Sequence, residues 1–188
     1  VGFERDENPY RDSPSIRRLD KLDSYSGRTA FVGEYMAKVS FIGLGVMGGP
    51  MAGHLAAAGH DVTVYNRSGD KAAAWLQHYK GRSAATPALA AEGADAVFTC
   101  VGADHDLEDV MLGPDGAFAT MRPGALFVDH TTVSARIARR LAAEGLEREL
   151  LVVDGPVSGG QAGAENGTLS IMCGATLEAV SYTHLTLP

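Results

Sequence analysis

Gly43-Leu44-Gly45-Val46-Met47-Gly48 follows the apolar run Lys38-Val-Ser-Phe-Ile42 and opens a stretch whose apolar residues Val46, Met47, Met51 and Leu55 recur at helical spacing. A strand that turns straight into a helix leaves little room for side chains, and each glycine answers one steric demand. Gly43 permits the tight turn, Gly45 lets the backbone approach a pyrophosphate without a Cβ in the way, and Gly48 lets the helix pack closely on the strand. The helix start beyond them offers unpaired N–H groups and a partial positive charge to phosphate. A plain strand-to-helix connection would also use glycines, but a second strand in register after the helix favours a coenzyme-binding turn. Gly43, Leu44, Gly45, Val46, Met47 and Gly48 are therefore candidate cofactor contacts.

The alternation continues to residue 154. The apolar spacing predicts a helix over 46–58 ending at Gly59 as its C′ residue, a strand over 61–65 and a helix over 69–79. A weaker strand over 82–84 precedes a helix opened by Thr86 as N-cap and Pro87 as N1. The continuous apolar run 96–101 predicts a buried strand. After it come a helix over 106–111, a strand over 125–129, a helix over 133–144 and a strand over 150–154. Strands separated by helices form a parallel sheet covered on both faces, because parallel neighbours need crossovers and these are right-handed. The expected fold is α/β, a Rossmann-type doubly wound parallel sheet over residues 38–175.

The two ends read differently. Residues 1–38 carry seven Lys/Arg and seven Asp/Glu with turn formers at Pro9, Ser13, Pro14 and Gly27, too little apolar surface to offset ordering entropy. Residues 1–37 are expected to be a disordered or non-native extension, with Met36 placed like a start codon; a functional arm is the alternative. Residues 176–180 read as the first part of a helix, which 181–188 break with β-branched residues and a terminal proline. A truncated reading frame with a foreign tail over 176–188 is expected.

With 188 residues, 45% hydrophobic and 21% charged, the chain can build one domain core, which excludes wholesale disorder, collagen or coiled coil. A net charge of −7 argues against nucleic acid as a partner. Cys100 and Cys173 lie far apart and form no metal-ligand pattern, so no disulfide framework and no metal site is expected, and both should fill core positions. No apolar run approaches the ~18 residues of a membrane helix, and residue 1 onward lacks the pattern of a signal peptide. The expected location is the cytoplasm.

Choice between the two nicotinamide dinucleotides is usually made at the end of the second strand, where an acidic side chain accepts from the ribose 2′-hydroxyl. Here that strand ends in Asn66-Arg67-Ser68. No carboxylate in that loop repels a 2′-phosphate, and the Arg67 guanidinium can pair with the phosphate and stack on adenine. Asn66, Arg67 and Ser68 thus point to NADP(H) ahead of NAD(H). The alternative is that Arg67 is a solvated loop charge.

The block from Phe41 through Gly48 to Leu55 resembles the N-terminal signature of the β-hydroxyacid dehydrogenases. This is the 3-hydroxyisobutyrate dehydrogenase group, with the tartronate semialdehyde and glyoxylate/succinic semialdehyde reductases. A second block, Asp154-Gly-Pro-Val-Ser-Gly-Gly160 followed by Gly163-Ala164, Gly167-Thr168-Leu169 and Ser170-Ile-Met172, is similar to the same family at the usual distance. The resemblance implies that Gly43 to Gly48 hold the pyrophosphate and that Val101 and Gly102, where many relatives have Leu-Pro, lie along the cofactor. It implies that Thr132, in Asp129-His-Thr-Thr-Val133, contacts the nicotinamide half, and that Ser158, Gly159 and Gly160 bind the substrate carboxylate. From the residues alone, Thr132 also reads as part of a helix N-cap region, and Ser158-Gly-Gly160 as a flexible turn. Asp129, His130 and His54 read as structural groups rather than acid–base catalysts.

The implied activity is interconversion of a small β-hydroxyacid with its semialdehyde or keto acid, by an intact protein expected to be a homo-oligomer. The family's proton donor is a lysine beside an asparagine in a later Gly-rich segment, followed by an all-helical domain. The only lysines after Arg67 are Lys71 and Lys80, both in the wrong block. No catalytic residue is therefore assigned, and the helical domain is expected to be absent. Two readings follow: an NADP-dependent dehydrogenase when intact, or a dinucleotide-binding module that cannot turn over. Among relatives, 6-phosphogluconate dehydrogenases tend to have Gly-Pro-Ser at Gly167-Thr168-Leu169, and imine reductases usually lose the Val157-to-Gly160 segment.

Overall fold

In the computed structural model, which describes residues 36–175, the strands are β1 (Lys38–Ile42), β2 (Asp61–Tyr65), β3 (Arg82–Ser83), β4 (Ala96–Thr99), β5 (Leu126–Asp129), β6 (Leu151–Asp154), β7 (Val157–Ser158), β8 (Ser170–Ile171) and β9 (Gly174–Ala175). The helices are α1 (Gly48–Ala57), α2 (Gly69–Leu76), α3 (Pro87–Ala91), α4 (Asp104–Leu112), α5 (Ala135–Glu147) and α6 (Gly160–Glu165). The expectations for residues 1–35 and 176–188 lie outside the described residues. Ala37, counted above with the leading segment, is buried, and its carbonyl accepts from the Asp61 N–H.

Seven strands form one sheet in the order β3-β2-β1-β4-β5-β6-β9. The first six run parallel, as expected. β9 departs from the all-parallel expectation: it pairs antiparallel with β6, Val153 opposite Ala175. Gly174-Ala175 is too short and too small to carry an apolar period, so nothing in the sequence marks it as a strand. β7 and β8, connected through α6, form a separate antiparallel pair, and it too was not foreseen.

The period of two along each strand sorts side chains to opposite faces. Phe41, Phe98 and Val128 pack with Ala52 and Leu55 of α1 and Trp75 of α2. Val97 and Phe127 point the other way, against Leu107 and Met111 of α4 and Ile137 and Leu141 of α5. Every residue of β4 and β5 is buried, which is why these strands read as unbroken apolar runs rather than as alternating ones.

Helix ends follow local chemistry. Thr86 caps α3 by accepting from the Leu89 N–H, with Pro87 next to it as predicted. Gly59 takes a positive φ after α1. α5 begins two residues later than the apolar pattern indicates, because Ser134 is its N-cap and accepts from the Ile137 N–H. α4 begins two residues earlier, with Asp104 and Asp106 in its first turn, where carboxylates favour the positive end of the helix. The Asp104 carboxylate accepts from the Ser134 N–H and hydroxyl, so it ties the starts of α4 and α5 together. Cys173 is exposed, contrary to the core position expected, because the chain there lies beyond the last crossover helix. Cys100 is half-buried at the end of β4.

A Cβ built at Gly48 would lie 2.0 Å from the Gly43 carbonyl oxygen and 3.0 Å from Phe41 Cε1. Backbone cannot yield as a flexible side-chain tip can, so α1 would have to lift from β1. Gly48→Ala is expected to lower stability by about 1–3 kcal/mol in urea unfolding followed by circular dichroism. A loss indistinguishable from zero would show that the helix is not held against the strand by that contact.

Candidate functional site

The strand order reverses between β1 and β4, and ligands of open α/β sheets bind beyond the strand ends at such a switch. A cavity of about 580 Å³ opens there. Of the residues singled out as cofactor contacts, Gly43, Gly45, Val46, Met47, Gly48, Asn66, Arg67, Ser68, Val101 and Gly102 line it. Leu44 and Thr132 are not among its lining residues. Leu44 is buried in the core, and its N–H donates to Asn66 Oδ1 at 2.9 Å, which fastens the glycine turn to the loop after β2. Thr132 is exposed at the end of β5.

The turn is shaped for close approach. Gly43 has φ +101°, and a Cβ there would fall 2.3 Å from the Cys100 carbonyl oxygen. A Cβ at Gly45 would meet nothing within 4 Å, so this glycine faces open cavity rather than protein. No side chain caps the start of α1. Open space over a tight turn, beside an uncapped helix start, fits a pyrophosphate.

Behind the cavity a buried network joins two loops. Asp129 Oδ1 accepts from the Thr99 hydroxyl at 2.7 Å and from the Thr131 N–H at 3.0 Å, and Thr131 Oγ1 accepts from the Val101 N–H at 3.1 Å. Burial raises the Asp129 pKa above the usual carboxylate value, against the lowering effect of these bonds. Burial, with Asp129 nearby, pushes the Cys100 thiol up to about 11, so it stays protonated and is no nucleophile near neutral pH. Thr131, not singled out from the sequence, thus holds the β4 and β5 loops together. A buried Asp two residues before a hydroxyl residue was the only signal for it.

His130 and His54 both make contacts that hold neighbouring elements together. His130 is buried, stacks on Phe98 with ring centroids 5.9 Å apart, and its Nδ1 lies 2.7 Å from the Gly155 carbonyl oxygen. A carbonyl can only accept, so Nδ1 carries the proton. His54 Nε2 likewise donates to the Ala164 carbonyl at 2.9 Å and links α1 to α6. The Ser158-Gly159-Gly160 segment leads into α6 on an exposed face outside the cavity lining, with φ of +137° at Gly159 and +61° at Gly160.

At the Arg67 end of the cavity one expectation needs correction. The loop after β2 carries no carboxylate, but the fold delivers one from α4: Arg67 Nη1 donates to Asp106 Oδ1 at 2.8 Å. Arg67 and Asp106 are 39 residues apart, a separation that no local pattern reports. Lys71 also lines the cavity, whereas Lys80 is exposed after α2 and does not. Among the described residues no group of three or more His, Cys, Asp or Glu could hold a metal ion, and no helix is long and apolar enough to cross a membrane.

The sheet order and the glycine turn at its switch point define a dinucleotide-binding domain. The sequence profile of the NAD binding domain of 6-phosphogluconate dehydrogenase matches residues 38–187. An oxidoreductase of Shewanella frigidimarina is 60% identical over 139 residues, which is 74% of this chain and 48% of that one. Among solved structures, 3-hydroxyisobutyrate dehydrogenase of Mycobacterium tuberculosis, determined with L-serine, superimposes with a TM-score of 0.75 at 30% identity. The match covers 81% of this chain and 51% of that one. The protein Psf3 in complex with NADP+ and 2-OPP gives a TM-score of 0.73 at 30% identity, over 78% of this chain and 52% of that one. The chain belongs to the β-hydroxyacid (3-hydroxyisobutyrate) dehydrogenase family and carries its NAD-binding domain. It spans about half the length of the curated relatives it matches.

Burial lowers the pKa of His130, outweighing the bond to Gly155. A folded-state value below the unfolded one means that stability is full above the unfolded value, about 6.5, and is lost as pH falls below it. His130→Asn keeps a donor for Gly155 but cannot titrate in this range. Urea unfolding at pH 7.5 and 5.5 should show a larger acid loss for the wild type than for His130→Asn. Equal losses would mean that His130 does not contribute to the acid limb.

Proposed function

We propose that the cleft between β1 and β4 binds NADP(H) in preference to NAD(H), in the service of hydride transfer between a small β-hydroxyacid and its semialdehyde or keto acid. The observation that carries this reading is the joint lining of one cavity by the glycine turn and by Asn66-Arg67-Ser68. When bound, the coenzyme supplies the hydride donor or acceptor. The protein's own residues position it. The Gly43–Gly48 turn and the start of α1 receive the pyrophosphate, with Gly45 leaving the space for it. Arg67 offers the guanidinium that can pair with a 2′-phosphate, and the NADP+ bound to Psf3 at 30% identity supports this choice. Val101 and Gly102 would flank the coenzyme, Thr131 holds their loop to the segment that carries Thr132, and Thr132 would contact the nicotinamide half.

The Ser158 hydroxyl and the Gly159 and Gly160 N–H groups would take the substrate carboxylate, since consecutive N–H donors around positive-φ glycines form an anion nest. The 3-hydroxyisobutyrate dehydrogenases among its relatives support a small hydroxy or oxo acid as the substrate, and the intact protein is proposed to work as a homo-oligomer. The 188-residue chain itself is read as binding coenzyme without turnover. Its lysines beyond Arg67 are Lys71, at the adenosine end, and Lys80, outside the cavity. Neither stands where a proton donor to the substrate carbonyl is needed.

Trp75 is the lone tryptophan, and its indole N–H donates to the Gly49 carbonyl at 3.1 Å, directly behind the turn. Its fluorescence is a built-in reporter of coenzyme binding. Titration should give saturable quenching with NADP+ at lower concentration than with NAD+. Arg67→Ala should weaken NADP+ binding by about tenfold or more, and NAD+ binding far less. Gly45→Ala should weaken both while leaving thermal stability within a few tenths of a kcal/mol. Tighter or equal NAD+ binding by the wild type would refute the NADP assignment. Steady reduction of glyoxylate, succinic semialdehyde or tartronate semialdehyde by this chain would refute the reading without turnover.

A further inference from the structure

The carboxylate that the fold brings to Arg67 bears on coenzyme choice. Arg67 follows β2 and Asp106 stands in the first turn of α4, so the two residues face each other from opposite rims of the cleft. The Arg67 side chain is 83% exposed and that of Asp106 only 19%. The carboxylate is therefore the fixed member of the pair, and the guanidinium the one free to swing. Gly102 is part of the reason Asp106 can lie there: a Cβ at that position would come within 2.7 Å of Asp106 Oδ2. His105 Nε2, 3.6 Å from Asp106 Oδ1, is the other basic group beside this carboxylate. Around the pair the cavity is divided by charge. Lys71 stands with Arg67 on the α2 rim, while Asp109 and Asp115 stand with Asp106 on α4 and just after it.

We propose that Asp106 is a specificity-determining residue that opposes the 2′-phosphate, so that the Arg67–Asp106 pair sets coenzyme preference rather than Arg67 alone. The inference rests on the reading that Arg67 meets the 2′-phosphate. A phosphate monoester carries close to two negative charges near neutral pH. To gain the guanidinium it must displace Asp106, and it then stays within a few ångströms of that carboxylate with little salt between them. A 2′-hydroxyl meets no such conflict. It can donate to Asp106, which then does from α4 what an acidic residue at the end of the second strand does elsewhere. The Asn66-Arg67-Ser68 loop therefore states a preference for NADP(H) that Asp106 reduces.

Asp106→Asn keeps the side-chain shape and removes the charge. Calorimetric titration of the 188-residue chain with NADP+ and with NAD+ should show NADP+ binding tightened about fivefold to tenfold, and NAD+ binding unchanged or weaker. The NADP+ to NAD+ affinity ratio should rise by about tenfold. An unchanged ratio, or weaker NADP+ binding because Arg67 has lost its support, would overturn the inference. Arg67→Ala measured alongside separates the two levels. If it weakens NADP+ while Asp106→Asn leaves the ratio unchanged, only the role of Asp106 falls. If it leaves NADP+ affinity unchanged, or if neither coenzyme binds the wild type, both the inference and the reading beneath it fall.

Discussion

The approach of three backbone segments around Gly43 and Gly48 sets the geometry on which the rest depends. Gly43 turns the chain out of β1 within Cβ distance of the Cys100 carbonyl at the end of β4, and Gly48 lets α1 start against the Gly43 carbonyl. Any side chain at either place would drive β1, β4 and α1 apart, and the cleft lies where these three meet. The core on both faces of the sheet then holds the strands that present these ends. The glycine turn is thus a packing device before it is a binding device. Of its three glycines only Gly45 has open space where a Cβ would stand, so it is the one whose missing side chain leaves room for a ligand.

The cleft is also tied behind its surface. Leu44 to Asn66, Val101 to Thr131 and Asp104 to Ser134 are hydrogen bonds between different strand-to-helix connections, and Thr131 is held in turn by Asp129. The connections after β1 and β2 are thereby fixed to each other, and so are those after β4 and β5, before any ligand arrives. Such prior fixing lowers the ordering cost of binding. It also explains why the buried Asp129 carboxylate is retained despite the desolvation that raises its pKa. A neutral, shorter side chain would leave the Thr99 hydroxyl and the Thr131 N–H to find other acceptors inside the core.

Much of this architecture was legible in the residues. Unbroken apolar runs named β4 and β5, Thr86-Pro87 named the start of α3, and glycines at the right offsets named the first crossover. Errors fell where local pattern competes with a longer-range bond. The apolar period carries α5 back to residue 133, but the Ser134 cap, anchored by Asp104, starts it later. β9, two small residues on an edge, exists only because β6 offers it an unpaired side.

What the sequence determined by itself is the succession of strands and helices from β1 to β6, the turn chemistry at residues 43–48 and the cationic loop at residues 66–68, because each is written in neighbours a few residues apart. Only the tertiary structure decided that Thr131 locks the loops after β4 and β5 together. It alone showed that the Ser158-Gly-Gly160 segment lies outside the cavity lining and that Asp106 reaches Arg67. These are meetings of residues tens of positions apart, set by sheet order and crossover packing. No periodicity along the chain encodes which loop will face which across the cleft.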